Sequence, residues 1–177
     1  MQPLPLSEVY KLIEPGPVVL LATRGKDGQA DVMTMSWHMM VDFEPPLIAC
    51  IVSAANHSFT ALRSTGECVI AIPDATMAET VVAIGNCSGR DGDKLARLGI
   101  ETAEASMVSA PLLPQCFANL ECRVTEARLA AQYNLFILEV VAAWKDGRRK
   151  RHRTLHHQGY GAFTIDGEVI KLRSAKP

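Results

Sequence analysis

The stretch PVVLLATRGKDGQADVMTMSWHMMV, residues 17–41, decides how the chain folds. Pro17–Arg24 is a short run rich in Val and Leu, Gly25–Gly28 (GKDG) is a turn signal, and a second strand-like run follows. Two such runs joined by a glycine turn predict a β-hairpin. Under strand periodicity, Met33, Met35, Trp37 and Met39 share one face of the second run, and Val32, Thr34, Ser36 and His38 the other. One face reads as core or subunit interface. The other presents two hydroxyls and an imidazole in a row, although an ordinary solvent-facing surface would carry the same residue types.

Working outward, PPLIACIVS (Pro45–Ser53) predicts a third strand and ECVIAIP (Glu67–Pro73) a fourth. Between them HSFTALRSTG (His57–Gly66) suits a short helix, capped by Asn56 or Ser58 and stopped near Gly66. TMAETVVAIG (Thr76–Gly85) predicts a second short helix. FANLECRVTEARLA (Phe117–Ala130) and NLFILEVVAAWKDG (Asn134–Gly147) read as long strands around a hairpin, and Asp166-Gly167 as the final turn. Strands outnumber helices and most connections are of hairpin length. One domain over residues 1–177 is expected: mainly β, an antiparallel barrel with a few short peripheral helices.

The composition narrows the function. The chain is 48% hydrophobic and 21% charged with a formal net charge of −1, so bulk charge gives no reason to expect nucleic acid or an anionic membrane as partner. No apolar run reaches the roughly 18 residues of a membrane span, and MQPLPLSEVYKLIEP lacks the basic head and apolar stretch of a secretory leader. The five cysteines form no C-x-x-C pair, and Cys50 and Cys68 lie inside apolar runs, so reduced thiols and a cytoplasmic protein are expected. The chain has no G-x-G-x-x-G, no G-x-x-x-x-G-K-[ST] and no G-x-S-x-G. His152, His156 and His157 have no obvious third metal ligand in a suitable geometry, and no metal site is expected. KDGRRKRHR (Lys145–Arg153) holds six basic residues and one acid. It reads as a solvated hairpin tip, a docking site for a phosphorylated pyridine nucleotide, or a nucleic-acid patch without aromatic interleaving.

SGRDGDKLARLG (Ser88–Gly99) is ambiguous by itself, a phosphate cradle or a solvated helix with its loop. Its context carries more. In order and spacing, MTMSWH (Met33–His38), PPL (Pro45–Leu47), TGE-V-IP (Thr65–Pro73) and SGR-x-x-DK (Ser88–Lys94) resemble the flavin reductase-like family of FMN-binding split barrels, most closely its flavoredoxin-type branch. The likeness runs from about Pro17 to Trp144.

The resemblance implies a split-barrel homodimer with one FMN per subunit near the dimer interface. It implies that Thr34, Met35, Ser36, Trp37 and His38 run beside the isoalloxazine ring, with Ser53 close by. Asn56, His57, Ser58 and Thr60 would meet the phosphate and ribityl chain, and Ser88, Gly89 and Arg90 the phosphate or ring edge, with Lys94 as a supporting cation. Asp91 or Asp93 would cap the short helix that follows. A phosphate monoester carries roughly −1.5 to −2 charge, and a helix N-terminus with capping hydroxyls suits it. N-capping alone is the alternative for Asn56 and Ser58, and capping and anion binding can coexist; His38 is either a ring neighbour or a structural hydrogen-bonder. His57 stands where many relatives carry lysine or arginine, and Met39-Met40 where they often carry smaller residues. The implied activity is hydride transfer from NAD(P)H to flavin, with electrons delivered to free flavin or a redox partner protein and no protein acid or base required. The alternatives are an FMN-binding electron carrier without NAD(P)H activity and, from a different class, a nucleic-acid-binding barrel using the basic tip.

Overall fold

In the computed structural model the chain is described at residues 16–148 and 151–172, with Pro5 and Leu12. Most of the N-terminal run considered as a leader, and Arg149 and Lys150 of the basic segment, lie outside the described residues.

The hairpin predicted from residues 17–41 forms: β1 (Val19–Arg24) pairs antiparallel with β2 (Ala30–Met35), from Val19↔Met35 to Arg24↔Ala30. Gly28 closes the turn at φ 82, a left-handed conformation that glycine adopts without a Cβ penalty. The second run is not one strand, however. It breaks at Ser36-Trp37, and β3 (His38–Phe43) leaves β2 to pair with β4 (Pro46–Ile51). The Ile51 N–H donates to the Trp37 carbonyl at 3.0 Å, at the point where the chain changes partner. Residue alternation reports faces and not pairing, so it runs unbroken through this crossing. Its core reading holds at Met35, 4% exposed, and fails at Trp37 and Met39, 54% and 64% exposed.

Beyond these lie β5 (Glu67–Ile72), β6 (Ala118–Glu126) and β7 (Leu135–Lys145), giving a seven-stranded antiparallel sheet in the order β2-β1-β5-β6-β7-β4-β3. Met35 of β2 shares one core with Ile48 and Cys50 of β4 and Phe136 and Leu138 of β7. The sheet therefore curls until its two ends face a common interior, although no ladder joins β2 to β3 among the described strands. The opposite face of β1 and β5 (Leu20, Ala22, Val69, Ala71) packs against a second core that includes Val81, Ile84, Leu95 and Leu113. Burial on both faces explains the unbroken VVLLA run. Leu20 and Leu21 are both fully buried, each contributing about 1.5–3 kcal/mol.

Among the described residues after Leu12, four short α-helices decorate the sheet: α1 (His57–Thr65), α2 (Ala78–Gly85), α3 (Lys94–Arg97) and α4 (Ala130–Tyr133). α1 buries Phe59 and Leu62 in the first core, with the Phe59 ring edge-on to Phe136 at 5.6 Å. It stops at Gly66 as predicted, φ 70, with the Gly66 N–H donating to the Leu62 carbonyl. α4 occupies the β6–β7 connection, where the sequence predicts a plain hairpin. The final turn is also displaced. β8 (Leu155–Gly159) and β9 (Ala162–Ile165) turn at Tyr160-Gly161, not at Asp166-Gly167. Tyr160 and Gly161 have φ 51 and 79, the two positive values that a tight type I′ turn needs. The Asp166 carboxylate instead accepts the Thr154 N–H at 2.6 Å.

The polar interior is small, and among the described residues its buried Thr23 Oγ1 and Asp31 Oδ1 have no hydrogen-bond partner. Glu121, fully buried on β6, accepts the backbone N–H groups of Ser106, Met107 and Val108 and the Trp144 indole N–H. Burial pushes its carboxyl up, but these hydrogen bonds outweigh that and hold it below its usual 4.5. All five cysteines are free thiols; burial, with Cys122 close by, pushes Cys50 up to about 12. The basic segment is partly packed: His152 stacks on Phe117 at 3.8 Å between ring centroids, Lys145 lies 5.3 Å above the same ring, and Arg148 pairs with Asp146.

Candidate functional site

The site begins with an uncapped helix. Asn56 takes the N-cap position of α1 in an extended conformation (φ −76, ψ 145), but its side chain caps no backbone N–H. The first turn, with no acidic residue in it, opens toward the 3₁₀ turn Gly89–Asp91 that follows α2. Between them lies a groove of about 450 Å³, floored by β2 and lined by Thr34, Asn56, His57, Ser58, Ser88, Gly89, Arg90 and Lys94 among others. Eight of the residues singled out from the sequence, far apart along the chain, are thus brought together. A second groove of about 390 Å³ shares Met33, Thr34 and Asn56 with the first and continues past Met35, Ser36, Trp37 and Ser53. His38 and Thr60 line neither groove. Thr60 is exposed on α1, and the His38 ring nitrogen Nε2 is 2.7 Å from the Pro17 carbonyl, a structural tie between β3 and the start of β1.

Several side chains in the groove already have partners. Ser58 is fully buried and its hydroxyl donates to Asp31 Oδ2 at 3.0 Å, so it does not cap the helix. Lys94, 3% exposed, lies with Nζ 3.3 Å from Asp31 Oδ1 and donates to the Val32 carbonyl at 2.7 Å. Its charge is compensated within the protein, so it is a floor residue more than a free cation. Gly89 permits a close approach, but onto protein: a Cβ there would stand 2.6 Å from Asp31 Cγ and Oδ1 and from His57 Cδ2. Thr34 Oγ1 donates to the Val81 carbonyl on α2. Asp93 caps α3 by accepting the Ala96 N–H, while Ser88 caps the 3₁₀ turn by accepting the Arg90 N–H. Arg90 crosses the groove to donate to the Ala55 carbonyl at 2.9 Å, leaving an exposed guanidinium beside the helix end.

Asp31 is the residue the sequence reading missed. Only 4% exposed, it links β2 to the start of α1 through Ser58 and to α3 through Lys94. Oδ1 accepts no hydrogen bond, and Lys94 supplies its compensation by charge. The available signal was one acidic residue near the start of the strand ADVMTM, whose other polar residue is Thr34. Asn134 was missed as well. It takes a left-handed conformation (φ 58), accepts the Ala54 N–H through its side chain, and lines the second groove.

The positive end of α1, the Arg90 guanidinium and the His57 imidazole converge on one mouth of the groove, where an anion would be held. The fold is that of the flavin reductase-like proteins. The chain belongs to this family, whose flavin reductase like domain matches residues 12–164. It is 31% identical to the uncharacterized protein YddH of Escherichia coli (strain K12), over 95% of this chain and 96% of the relative. Among solved structures it is similar to an FMN-binding domain of a flavin reductase-like enzyme from Shewanella baltica OS155, with TM-score 0.83 and 28% identity over 96% of both chains. The flavoredoxin of Desulfovibrio vulgaris (Miyazaki F) shares the fold at TM-score 0.81 and 20% identity, over 92% of both chains.

Proposed function

We propose that the chain is an FMN-binding oxidoreductase of the flavin reductase type. The observation that carries this reading is the uncapped N-terminus of α1 facing Arg90 and Ser88 across a groove that continues along β2. The residues fit the group. A doubly charged phosphate suits free helix N–H groups at His57 and Ser58, with the Arg90 guanidinium and the Ser88 hydroxyl beside them. The continuation past Met35, Ser36, Trp37 and Ser53 suits a planar heteroaromatic ring, which apolar side chains and backbone groups would orient. The FMN-binding domain from Shewanella supports the same choice of cofactor.

Bound FMN supplies a two-electron acceptor for hydride from NAD(P)H and a donor to free flavin or a partner protein. The protein's part is to bind, orient and shield. The Asp31–Lys94 pair holds the floor in place without adding net charge, so attraction for the phosphate comes from α1 and Arg90. No side chain is required to move a proton in the hydride step.

A homodimer belongs to this reading. The edge strand β3 exposes Met39, Met40, Val41 and Phe43, the last 87% exposed, next to Trp37. An edge strand with four exposed apolar side chains and a single acid, Asp42, beside a cofactor groove is a surface that a second copy would cover. Sedimentation of a dimer that Phe43→Lys with Met39→Lys converts to monomer supports this arrangement; a monomeric wild type refutes it.

The test of the function is an absorption spectrum after desalting in the presence of FMN, followed by anaerobic addition of NADH or NADPH. Retained flavin bands that bleach with either nucleotide support the reductase. Retained bands that bleach only with a reduced partner protein assign an electron carrier, and no retained flavin overturns the reading.

A further inference from the structure

A third cavity, of about 270 Å³, lies at the end of β7 remote from the cofactor groove. Asn134, just before β7, lines that groove, and Trp144 stands ten residues further along the strand. At about 3.3 Å per residue the two are roughly 30 Å apart along the strand. Leu112, Pro114 and Phe117 give the cavity apolar walls, and Trp144, Lys145, Asp146 and Arg148 complete its lining. KDGRRKRHR carries its cations with no aromatic residue among them, and the fold brings Phe117 beside Trp144 to supply one.

Trp144 is 48% exposed although its indole is anchored, the N–H donating to the buried Glu121 at 2.6 Å. A ring already fixed in this way loses little freedom when a second flat ring stacks on it. Phe117 is itself covered by the stacked His152 ring, and it holds Lys145 with Nζ 5.3 Å from its centroid. Arg148 is the freer cation. Asp146 accepts its Nε–H at 3.1 Å, and the side chain is 92% exposed, so the rest of the guanidinium fork is open to an anion. Two cations thus face one acid in this cavity, while Asp74, Asp166 and Glu168 line a separate cleft with Arg151 and Arg153.

We propose that this cavity binds a nucleotide unit, its base against the Trp144 indole and its phosphate between Lys145 and Arg148. The base offers a flat face to the indole, and the negative phosphate meets the cations that a single carboxylate leaves in excess. An uncharged aromatic would leave both cations unused, and a bare anion would leave the indole unused. The distance from the cofactor groove separates this ligand from the hydride step, so the inference does not rest on the FMN reading. Two sources share the chemistry: a free mononucleotide, and one residue of a single-stranded nucleic acid.

The test is calorimetric titration of the protein saturated with FMN, which fills the other anion-receptive groove. The probes are AMP, adenosine, ribose 5-phosphate and a single strand of ten deoxyadenosine nucleotides. AMP is expected to bind about tenfold more tightly than either adenosine or ribose 5-phosphate, since each lacks one of the two contacts. Lys145→Gln with Arg148→Gln, both exposed positions, should weaken AMP about tenfold and leave FMN affinity within about twofold. Trp144→Ala should weaken AMP and adenosine alike by about tenfold, the loss of one base stack; if it does not fold, the double variant decides. A strand bound more tightly than AMP, with affinity falling steeply as salt rises, assigns the site to nucleic acid. AMP bound as tightly as the strand assigns it to a free mononucleotide, and either result supports the site. Adenosine or ribose 5-phosphate binding as tightly as AMP overturns it, as does AMP binding unmoved by the double variant, or no binding of AMP and the strand. Failure of the wild type to bind FMN refutes the cofactor reading alone; the same probes and variants, run on the protein without flavin, still decide the cavity.

Discussion

Replacing Lys94 by methionine tests whether the floor of the groove depends on the buried Asp31–Lys94 pair. Both side chains are out of solvent, 3% and 6% exposed, with Nζ 3.3 Å from Oδ1. The methionine keeps most of the apolar stem and removes the ammonium, leaving the Asp31 carboxylate with the Ser58 hydroxyl as its one hydrogen-bond donor. Breaking a buried pair in this way costs about 3–5 kcal/mol, because an uncompensated charge stays buried. For a chain of this size each kcal/mol lowers Tm by about 2–4 °C, so a fall of roughly 6–20 °C is expected. Urea denaturation should show the midpoint falling with an unchanged slope. Adding Asp31→Asn removes the orphaned charge and should recover much of the loss. A single-variant cost below about 1 kcal/mol, or a double variant as unstable as the sum of the two singles, would refute the reasoning.

Gly89→Ala drives a methyl to 2.6 Å from the Asp31 carboxylate and the His57 ring. Overpacking of about 1–3 kcal/mol is expected, together with weaker FMN binding in a fluorescence titration; a variant matching wild type in both would show that the turn gives way freely. Arg90→Ala removes the bond to the Ala55 carbonyl and the exposed cation at the groove mouth. FMN affinity should fall about tenfold or more while stability changes by less than about 1 kcal/mol, and unchanged affinity would return Arg90 to a purely structural role. Glu121 gives the acid limb. Its folded carboxyl is held below its usual 4.5, so its stabilisation is fully present above that value and is lost as pH falls through the folded value. Glu121→Gln should be destabilised at neutral pH and lose stability less steeply on acidification; parallel acid limbs in wild type and variant would refute the assignment.

Much of the site was legible because its parts are local. The Gly66 stop of α1, the Asp93 cap and the Ser88–Asp91 turn are written in residues within a few positions of one another, where backbone hydrogen bonding dominates. The resemblance in MTMSWH and SGR-x-x-DK supplied the long-range association that spacing alone left open. What stayed hidden were the choices among partners. The Ser58 hydroxyl reads as a cap that accepts a helix N–H, whereas in the fold it donates its proton to Asp31, because burial makes an unmet carboxylate costly. Lys94 reads as a cation for a ligand, yet it is compensated by that same carboxylate.

The sequence by itself determined the β-rich composition of the fold, the first hairpin, the stop of α1 and the family. Each rests on periodicity, turn chemistry or a motif that short range makes readable. Only the tertiary structure decided that the 31–41 run breaks at Ser36-Trp37 and that the sheet curls to share one core between β2 and β4. It alone placed Asp31 at the meeting point of α1 and α3. These features depend on which distant surfaces meet. Alternation along a strand shows which face is apolar, whereas the competition of buried groups for the same partner is settled only when the chain has closed around them.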